Sequence, residues 1–275
     1  MDIRTKQKEL NRPSKKSNAR PRSLEGKRIL VTGASGQLGS EFCQALGTAG
    51  AFVIVSDVDD KRGHRQVKNL REKGIGAAWI RLDVGNPDSV RRAFRKIRRI
   101  VPKLDVLVNA AAIAVFTPFE KRTLQDFMEV LKINLGGAFL CTQAALPLLK
   151  GNKNGSGIIN IASIYGIVSS DPGIYTDCNR MNSEVYSASK AGLIMMTRHL
   201  AVHLAPFKIR VNALSPGGVF RGHGKDFVKR YSKRTPLGRM ANASEISDAL
   251  IYLASDGASY LTGHNLIVDG GLTAW

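Results

Sequence analysis

The stretch RILVTGASGQLG, residues 28–39, decides the fold. Arg28–Thr32 is rich in β-branched residues and reads as a strand, and it runs straight into three evenly spaced glycines, Gly33, Gly36 and Gly39. Such glycines let the backbone turn tightly and come close to a pyrophosphate. Gln37 and Leu38 open a stretch whose Phe42, Ala45 and Leu46 recur at helical intervals. The free N–H groups and partial positive charge of that helix's N-terminus then face the same turn. Gly33, Ser35, Gly36, Gln37, Leu38 and Gly39 are therefore candidate cofactor-binding residues. Taken alone, a glycine-rich turn that holds no ligand is the competing reading.

The next β-branched run, Phe52–Ser56, ends at Asp57, eighteen residues past Gly39. An acidic side chain at that place accepts hydrogen bonds from an adenosine ribose and repels a 2′-phosphate, so NAD is the expected cofactor. Lys61 and Arg62 follow closely enough to turn toward a phosphate, which keeps NADP as the alternative.

Further short apolar runs alternate with longer amphipathic stretches: Ala77–Leu82, Val106–Asn109, Gly157–Ile161, Arg210–Leu214 and Asn265–Val268. With the first two they make seven strands, and the pattern predicts an α/β fold. The expected architecture is a Rossmann-like, doubly wound, seven-stranded parallel sheet with helices on both faces, in a single domain over residues 24–275. Ligands of such sheets lie beyond the carboxyl ends of the strands. That singles out Asp83 and Val84 after the third strand, and Asn109, Ala110 and Ala111 at the end of the fourth. For the alanines, plain close packing is an equal reading. Ser163 follows the fifth strand, and Pro216, Gly217 and Val219 belong to a turn after the sixth that can pass close to a nicotinamide.

The chain of 275 residues, 43% hydrophobic, suffices for one large core. Its 41 Lys and Arg against 22 Asp and Glu give +19, which attracts polyanions at low salt. Much of this charge sits in residues 1–23, which read as a disordered basic tail, and on a helix over Asp88–Val101. In that helix Val90, Phe94, Ile97 and Val101 recur at helical intervals, and arginines and lysines fill the solvated positions between them. Nucleic-acid binding is accordingly expected to be non-specific at most. Three scattered cysteines suggest neither disulfides nor a zinc site and fit a reduced, cytoplasmic setting. No apolar run approaches bilayer length, and no secretory h-region is expected. His199 and His203 are four apart but lack a third ligand, so no metal is expected.

The segment VYSASK, residues 185–190, reads as the start of a helix and sets Tyr186 and Lys190 on one face. A cation within reach lowers a phenol's pKa by roughly 1–3 units, toward a value useful at neutral pH.

The ordered set of motifs resembles the short-chain dehydrogenase/reductase family in its compact, single-domain form, over about residues 24–275. It comprises TGASGQLG, the acidic end of strand two, LDV (82–84), LVNAAA from Leu107, INLGG from Ile133, IAS ending at Ser163, YSASK (186–190), SPGG (215–218) and TGHNLIVDGG from Thr262. The resemblance implies that Asn134, Ser163, Tyr186 and Lys190 are the catalytic residues. Tyr186 and Lys190 would also touch the cofactor, Lys190 through the nicotinamide ribose, and Asn134 would hold a water in a proton relay. The implied activity is NAD(P)-dependent interconversion of a secondary alcohol and a ketone, on a polar, sugar-like or acidic substrate. A homodimer or homotetramer built on the helices bearing Asn134 and Tyr186 is the family's habit.

Several features depart from the family pattern. Gln37 stands where the compact form has glycine, and NAAA replaces NNAG. Ser163 and Tyr186 are 23 residues apart, about ten more than usual, and Tyr175 at the customary distance is followed by Asn179 rather than lysine. This long arrangement is similar to the branch found in flagellin-glycan and surface-sugar pathways. The segment of about 217–235, with Arg221, His223, Lys225, Lys229 and Arg230, is expected to form a lid, its cations either attracting an anionic substrate or simply solvated. Two other functions compete: reduction of a 3-oxoacyl thioester, and a cofactor-binding regulator that docks on nucleic acid.

Overall fold

Seven strands lie parallel in the order β3-β2-β1-β4-β5-β6-β7. They are β1 (Arg28–Thr32), β2 (Phe52–Asp57), β3 (Ala77–Arg81), β4 (Val106–Asn109), β5 (Ser156–Ile161), β6 (Ile209–Pro216) and β7 (Asn265–Val268). The computed structural model describes residues 23–176 and 180–275. The basic tail expected over 1–23 thus falls outside the described residues, except for Ser23, and so do Cys178 and Asn179.

The central strands are apolar on both faces; β4 and β5 are buried at every position. Such strands must be covered on both sides, and the helices do this. On one face pack α1 (Gln37–Thr48), α2 (Asp60–Glu72) and α8 (Ala243–Ala254), joined to the sheet through Phe42, Leu46, Leu70 and Leu250. On the other lie α3 (Pro87–Ile100), α5 (Gly137–Leu149) and the end of α6 (Glu184–Leu204), through Phe94, Ile97, Leu149 and Leu204. The helix α4 (Leu124–Leu131) runs into α5 through a π-helical turn, Lys132–Gly136, and α7 (Lys225–Arg234) stands above the strand ends.

The helices begin where side chains satisfy their first N–H groups. Asn86 accepts from Asp88 and Ser89 ahead of α3, Thr123 and Asp126 form a capping box on α4, and Ser183 accepts from the Tyr186 N–H on α6. Each such cap is worth about 1 kcal/mol. The basic helix expected over Asp88–Val101 is α3, with Val101 as its C-cap.

The strands match their expected positions to within two residues. The differences arise at the sheet's edges of hydrogen bonding: β2 reaches Asp57 because Asp57 pairs with Arg81, and β6 reaches Pro216 because it pairs with Val268. Strand order reverses between β1 and β4, the place where a doubly wound sheet opens a crevice. No helix among the described residues is long and apolar enough to cross a membrane.

Candidate active site

The turn after β1 is closed by its own backbone. Gly33 has φ +64°, and a Cβ there would lie 2.6 Å from the Ala111 Cα; one on Gly39 would lie 2.1 Å from the Gly33 carbonyl oxygen. Both glycines are thus demanded by packing. Gly36 differs: a Cβ there would meet only the Gly33 oxygen, at 3.3 Å. Gly36 is the N-cap of α1 without a side-chain cap, so the helix's first N–H groups face the open surface above the turn. The Ser35 hydroxyl beside them is buried and has no partner in the protein. An uncapped helix N-terminus, a bare glycine over it and an orphaned hydroxyl together fit the pyrophosphate of a dinucleotide.

Asp57 closes the same loop. Its carboxylate accepts from the Ser35 N–H at 2.9 Å and from the Val58 N–H at 2.7 Å, which fixes it at the end of β2. Arg62 turns to Asp59, 3.2 Å away. Asp83 accepts from the Gly85 N–H at 3.0 Å, while Val84 packs on Gly137 so closely that a Cβ there would lie 2.6 Å away. Ala110 and Ala111 donate their N–H groups to the Thr32 hydroxyl, at 3.1 and 3.3 Å, and so lie flat against the glycine turn. Asn109 aims its side chain inward, donating to Asn160 at 2.9 Å and Thr142 at 3.2 Å. Its amide therefore serves an internal ladder, and only its backbone borders the crevice.

Ser163, Tyr186 and Lys190 come together at the ends of β5 and β6. The Ser163 hydroxyl accepts from the Tyr165 N–H at 3.1 Å and lines the same cavity as Tyr186. Lys190 is buried, donates to the Ile161 carbonyl at 2.7 Å, and holds its ammonium 5.6 Å from the centre of the Tyr186 ring. Burial lowers the Lys190 pKa to about 8. The phenol's pKa is raised by burial, and only the nearby Ser163 hydroxyl pulls the other way. The expectation that the lysine makes this phenol acidic is therefore corrected for the protein by itself: desolvation outweighs a cation that is turned toward a carbonyl.

Asn134 lies in the π-helical turn, a distortion common at functional sites, and is buried. Its amide pairs both ways with the Ile113 backbone, at 2.8 and 3.0 Å, and donates to the Ser189 hydroxyl at 3.1 Å. Its side chain thus pins the segment after β4 to α6.

Beside Ser163 and Tyr186 opens a cavity of about 210 Å³, bounded by the turn Pro216–Val219 and by α7. Gly217 donates to the Val268 carbonyl at 2.9 Å, and Gly218 to the Tyr231 hydroxyl, so this turn is anchored from two sides. Of the basic residues expected in the lid, Arg221 and His223 line the cavity, whereas Arg230 bonds the Ile174 carbonyl at 3.1 Å. Tyr175 is a wall residue: its hydroxyl meets that of Tyr165, and its ring stands edge-on to Phe227 at 5.4 Å. Arg180 and Asn182, also in the wall, escaped the reading of the sequence. The long segment between Ser163 and Tyr186 was the available signal, but it has no periodicity to say which of its residues turn inward. A larger cavity of about 1030 Å³ shares Phe116, Tyr165, Tyr175 and Asn182 with the first. The rings of His199 and His203 lie tilted to each other with centroids 4.4 Å apart, and no group of three metal-binding side chains occurs among the described residues.

Known proteins agree with this geometry. Residues 33–273 match the family model described as enoyl-(acyl carrier protein) reductase. The D-arabinitol 2-dehydrogenase (ribulose-forming) of Candida tropicalis is 36% identical, over 92% of this chain and 94% of its own. A short-chain dehydrogenase from Leptospira borgpetersenii, solved with bound NAD+, is 37% identical with a TM-score of 0.80, covering 95% of this chain and 98% of its own. A gluconate 5-dehydrogenase from Burkholderia cenocepacia, in complex with NADP and tartrate, is 28% identical with a TM-score of 0.84, over 93% and 98%. The chain belongs to the short-chain dehydrogenase/reductase family. It is an oxidoreductase of CH–OH groups that uses a nicotinamide coenzyme.

Proposed function

We propose that the protein is an NAD-dependent dehydrogenase interconverting a secondary alcohol and a ketone on a small, polar substrate, with Tyr186 as proton donor and acceptor. The observation that carries this reading is the Tyr186 phenol, set with Ser163 in the wall of a 210 Å³ cavity, with the Lys190 ammonium 5.6 Å from its ring centre. When bound, a nicotinamide coenzyme supplies the hydride acceptor or donor. Ser163 donates to the substrate oxygen and fixes its position. In reduction Tyr186 gives its proton to that oxygen; in oxidation it removes the alcohol proton. Lys190 contributes positive charge below the phenol and a donor for a ribose hydroxyl, and Asn134 holds the floor of the site through Ile113.

The preference for NAD rests on Asp57. Its carboxylate is fixed by two backbone N–H groups where the adenosine ribose would lie, and Arg62 is engaged by Asp59. Gly33, Ser35 and Gly36 would hold the pyrophosphate, Asp83 and Val84 the adenine, and Pro216, Gly217 and Val219 the nicotinamide. The segment 217–235 acts as a lid, with Arg221 and His223 on its inner side. Exposed apolar residues on α4 to α6, among them Leu124, Met128, Phe139, Met195 and Val202, support a homodimer or homotetramer built on those helices. Cys43 and Cys141 are unpaired and buried, and burial pushes the Cys141 thiol up to about 12, which suits a reduced cytoplasm.

The test is coenzyme absorbance with NAD or NADP against polyols, sugar acids, cyclic alcohols and 3-hydroxyacyl thioesters. NAD-linked turnover of a secondary alcohol is expected; turnover confined to the thioesters would replace this reading by 3-oxoacyl reduction, and coenzyme binding without turnover of any of them would favour the cofactor-binding regulator.

A further inference from the structure

We propose that Arg180 and Arg221, with His223 between them, form an oxyanion subsite, so that the physiological substrate is a secondary alcohol or ketone bearing a carboxylate or phosphate. This rests on the substrate site proposed above and names the chemistry it selects. The two arginines come from different loops, Arg180 from the long segment after β5 and Arg221 from the turn after β6, yet both line the cavity that contains Ser163 and Tyr186. No Asp or Glu among the described residues lines it. Neither guanidinium has a carboxylate partner among the described residues. Elsewhere arginines do find acids, as Arg122 finds Glu184 and Arg239 finds Glu245.

His223 sits where both cations act on it. Its Nδ1 accepts from the Arg221 N–H at 3.3 Å, and its ring stacks on Phe227 at 4.9 Å. The bond to Nδ1 leaves the proton on Nε2, a neutral donor, and burial together with the charges of Arg180 and Arg221 lowers its pKa and keeps it neutral. Two guanidiniums without an acid partner among the described residues, and one imidazole, thus border a small space with apolar walls from Phe116, Phe227 and Met240. Guanidinium forks match the paired oxygens of carboxylate and phosphate, and low-dielectric walls strengthen the attraction. The cavity, about 210 Å³, has about seven times the share of liquid volume of one water, the scale of a short hydroxy acid or a small polyol phosphate. The extra residues between Ser163 and Tyr186 find their purpose here, since they place Arg180 in the wall of the cavity that Ser163 and Tyr186 line.

The experiment titrates the full chain, saturated with NADH, with tartrate, inorganic phosphate and neutral erythritol by calorimetry, in the native protein and in Arg180→Ala, Arg180→Lys and Arg221→Ala. At least one oxyanion is expected to bind at one site per chain and more tightly than erythritol. Each alanine variant should weaken it about tenfold or more, and Arg180→Lys, which keeps the charge but not the fork, by an intermediate factor. Tartrate bound in preference to phosphate assigns the carboxylate; the reverse assigns the phosphate. NADH affinity should stay within about twofold in Arg180→Ala. Unchanged oxyanion binding in Arg180→Ala, or no oxyanion binding at all, overturns the proposal, and so does an Arg221→Ala variant that loses NADH affinity alone. Should Arg180→Ala keep full NAD-linked turnover of every active alcohol, charged or neutral, the subsite fails while the dehydrogenase reading stands.

Discussion

The Lys190 ammonium lies 5.6 Å from the centre of the Tyr186 ring, one helical turn away on α6, and points at the Ile161 carbonyl of β5 rather than at the phenol oxygen. The phenol, with its pKa raised by burial, is held protonated in the protein by itself. Replacing Tyr186 by Phe removes only the hydroxyl, so kcat should fall by about 10²–10⁴ while the dissociation constant for NADH stays within about twofold. The raised phenol also sets a direction. Alcohol oxidation, which needs the phenolate, should accelerate as pH rises above neutrality, whereas ketone reduction should hold steady. Stopped-flow rates in both directions across pH 6–10 check this, and parallel profiles would remove Tyr186 from the role.

Lys190 makes the site costly to the fold. Its folded-state pKa is lowered from 10.5 to about 8, so below about pH 8 the charge is buried at full penalty. Between about 8 and 10.5 only the unfolded chain keeps the proton, and wild-type stability therefore rises with pH through that window. The Lys190→Met variant should be inactive yet more stable at pH 7. The penalty amounts to about 3 kcal/mol, and losing the donor to the Ile161 carbonyl returns about 1 kcal/mol of it. Urea denaturation at pH 7 and pH 10 should show the advantage shrinking at the higher pH; an advantage independent of pH refutes the account.

Gly36 and Gly39 separate binding from packing. Gly36 has φ −73°, which alanine adopts freely, and meets only one atom at 3.3 Å. Gly36→Ala should thus fold with stability within about 1 kcal/mol of the parent while losing about tenfold or more in coenzyme affinity, because its methyl stands above the helix N-terminus. Gly39→Ala drives a methyl to within 2.1 Å of the Gly33 oxygen and should unfold the turn. Thermal melts with and without NADH distinguish the two.

Asp57 tests coenzyme choice. Asp57→Asn removes the charge and one acceptor for the Ser35 or Val58 N–H. The ratio of NAD to NADP affinity should fall by about tenfold, with about 1 kcal/mol of stability lost. An unchanged ratio would mean that the ribose end is read elsewhere.

Much of the fold could be read without coordinates because β4 and β5 carry the short runs Val106–Val108 and Ile158–Ile159 and because the glycine turn announces its own helix. The spacing of Tyr186 and Lys190 put them on one face, a property of helix geometry alone. Other features had no local sign. Asn109 ends a strand as a coenzyme-binding residue would, yet its amide meets Asn160 and Thr142, partners 51 and 33 residues away. Asn134 sits in a helical sequence, but the π-turn and the pairing with Ile113 depend on packing against the segment after β4. Arg180 belongs to a polar stretch without periodicity, and nothing but the folded loop shows it turned toward the cavity.

The sequence by itself determined the strands, the helices between them, the dinucleotide turn and the family, because each follows from spacing along the chain. Tertiary structure alone decided where the Lys190 ammonium points, how burial sets the protonation of Tyr186, and that Arg180 and Arg221 share one cavity. The reason is physical: spacing fixes which face a side chain occupies, whereas desolvation and charge pairing depend on groups brought close from distant parts of the chain.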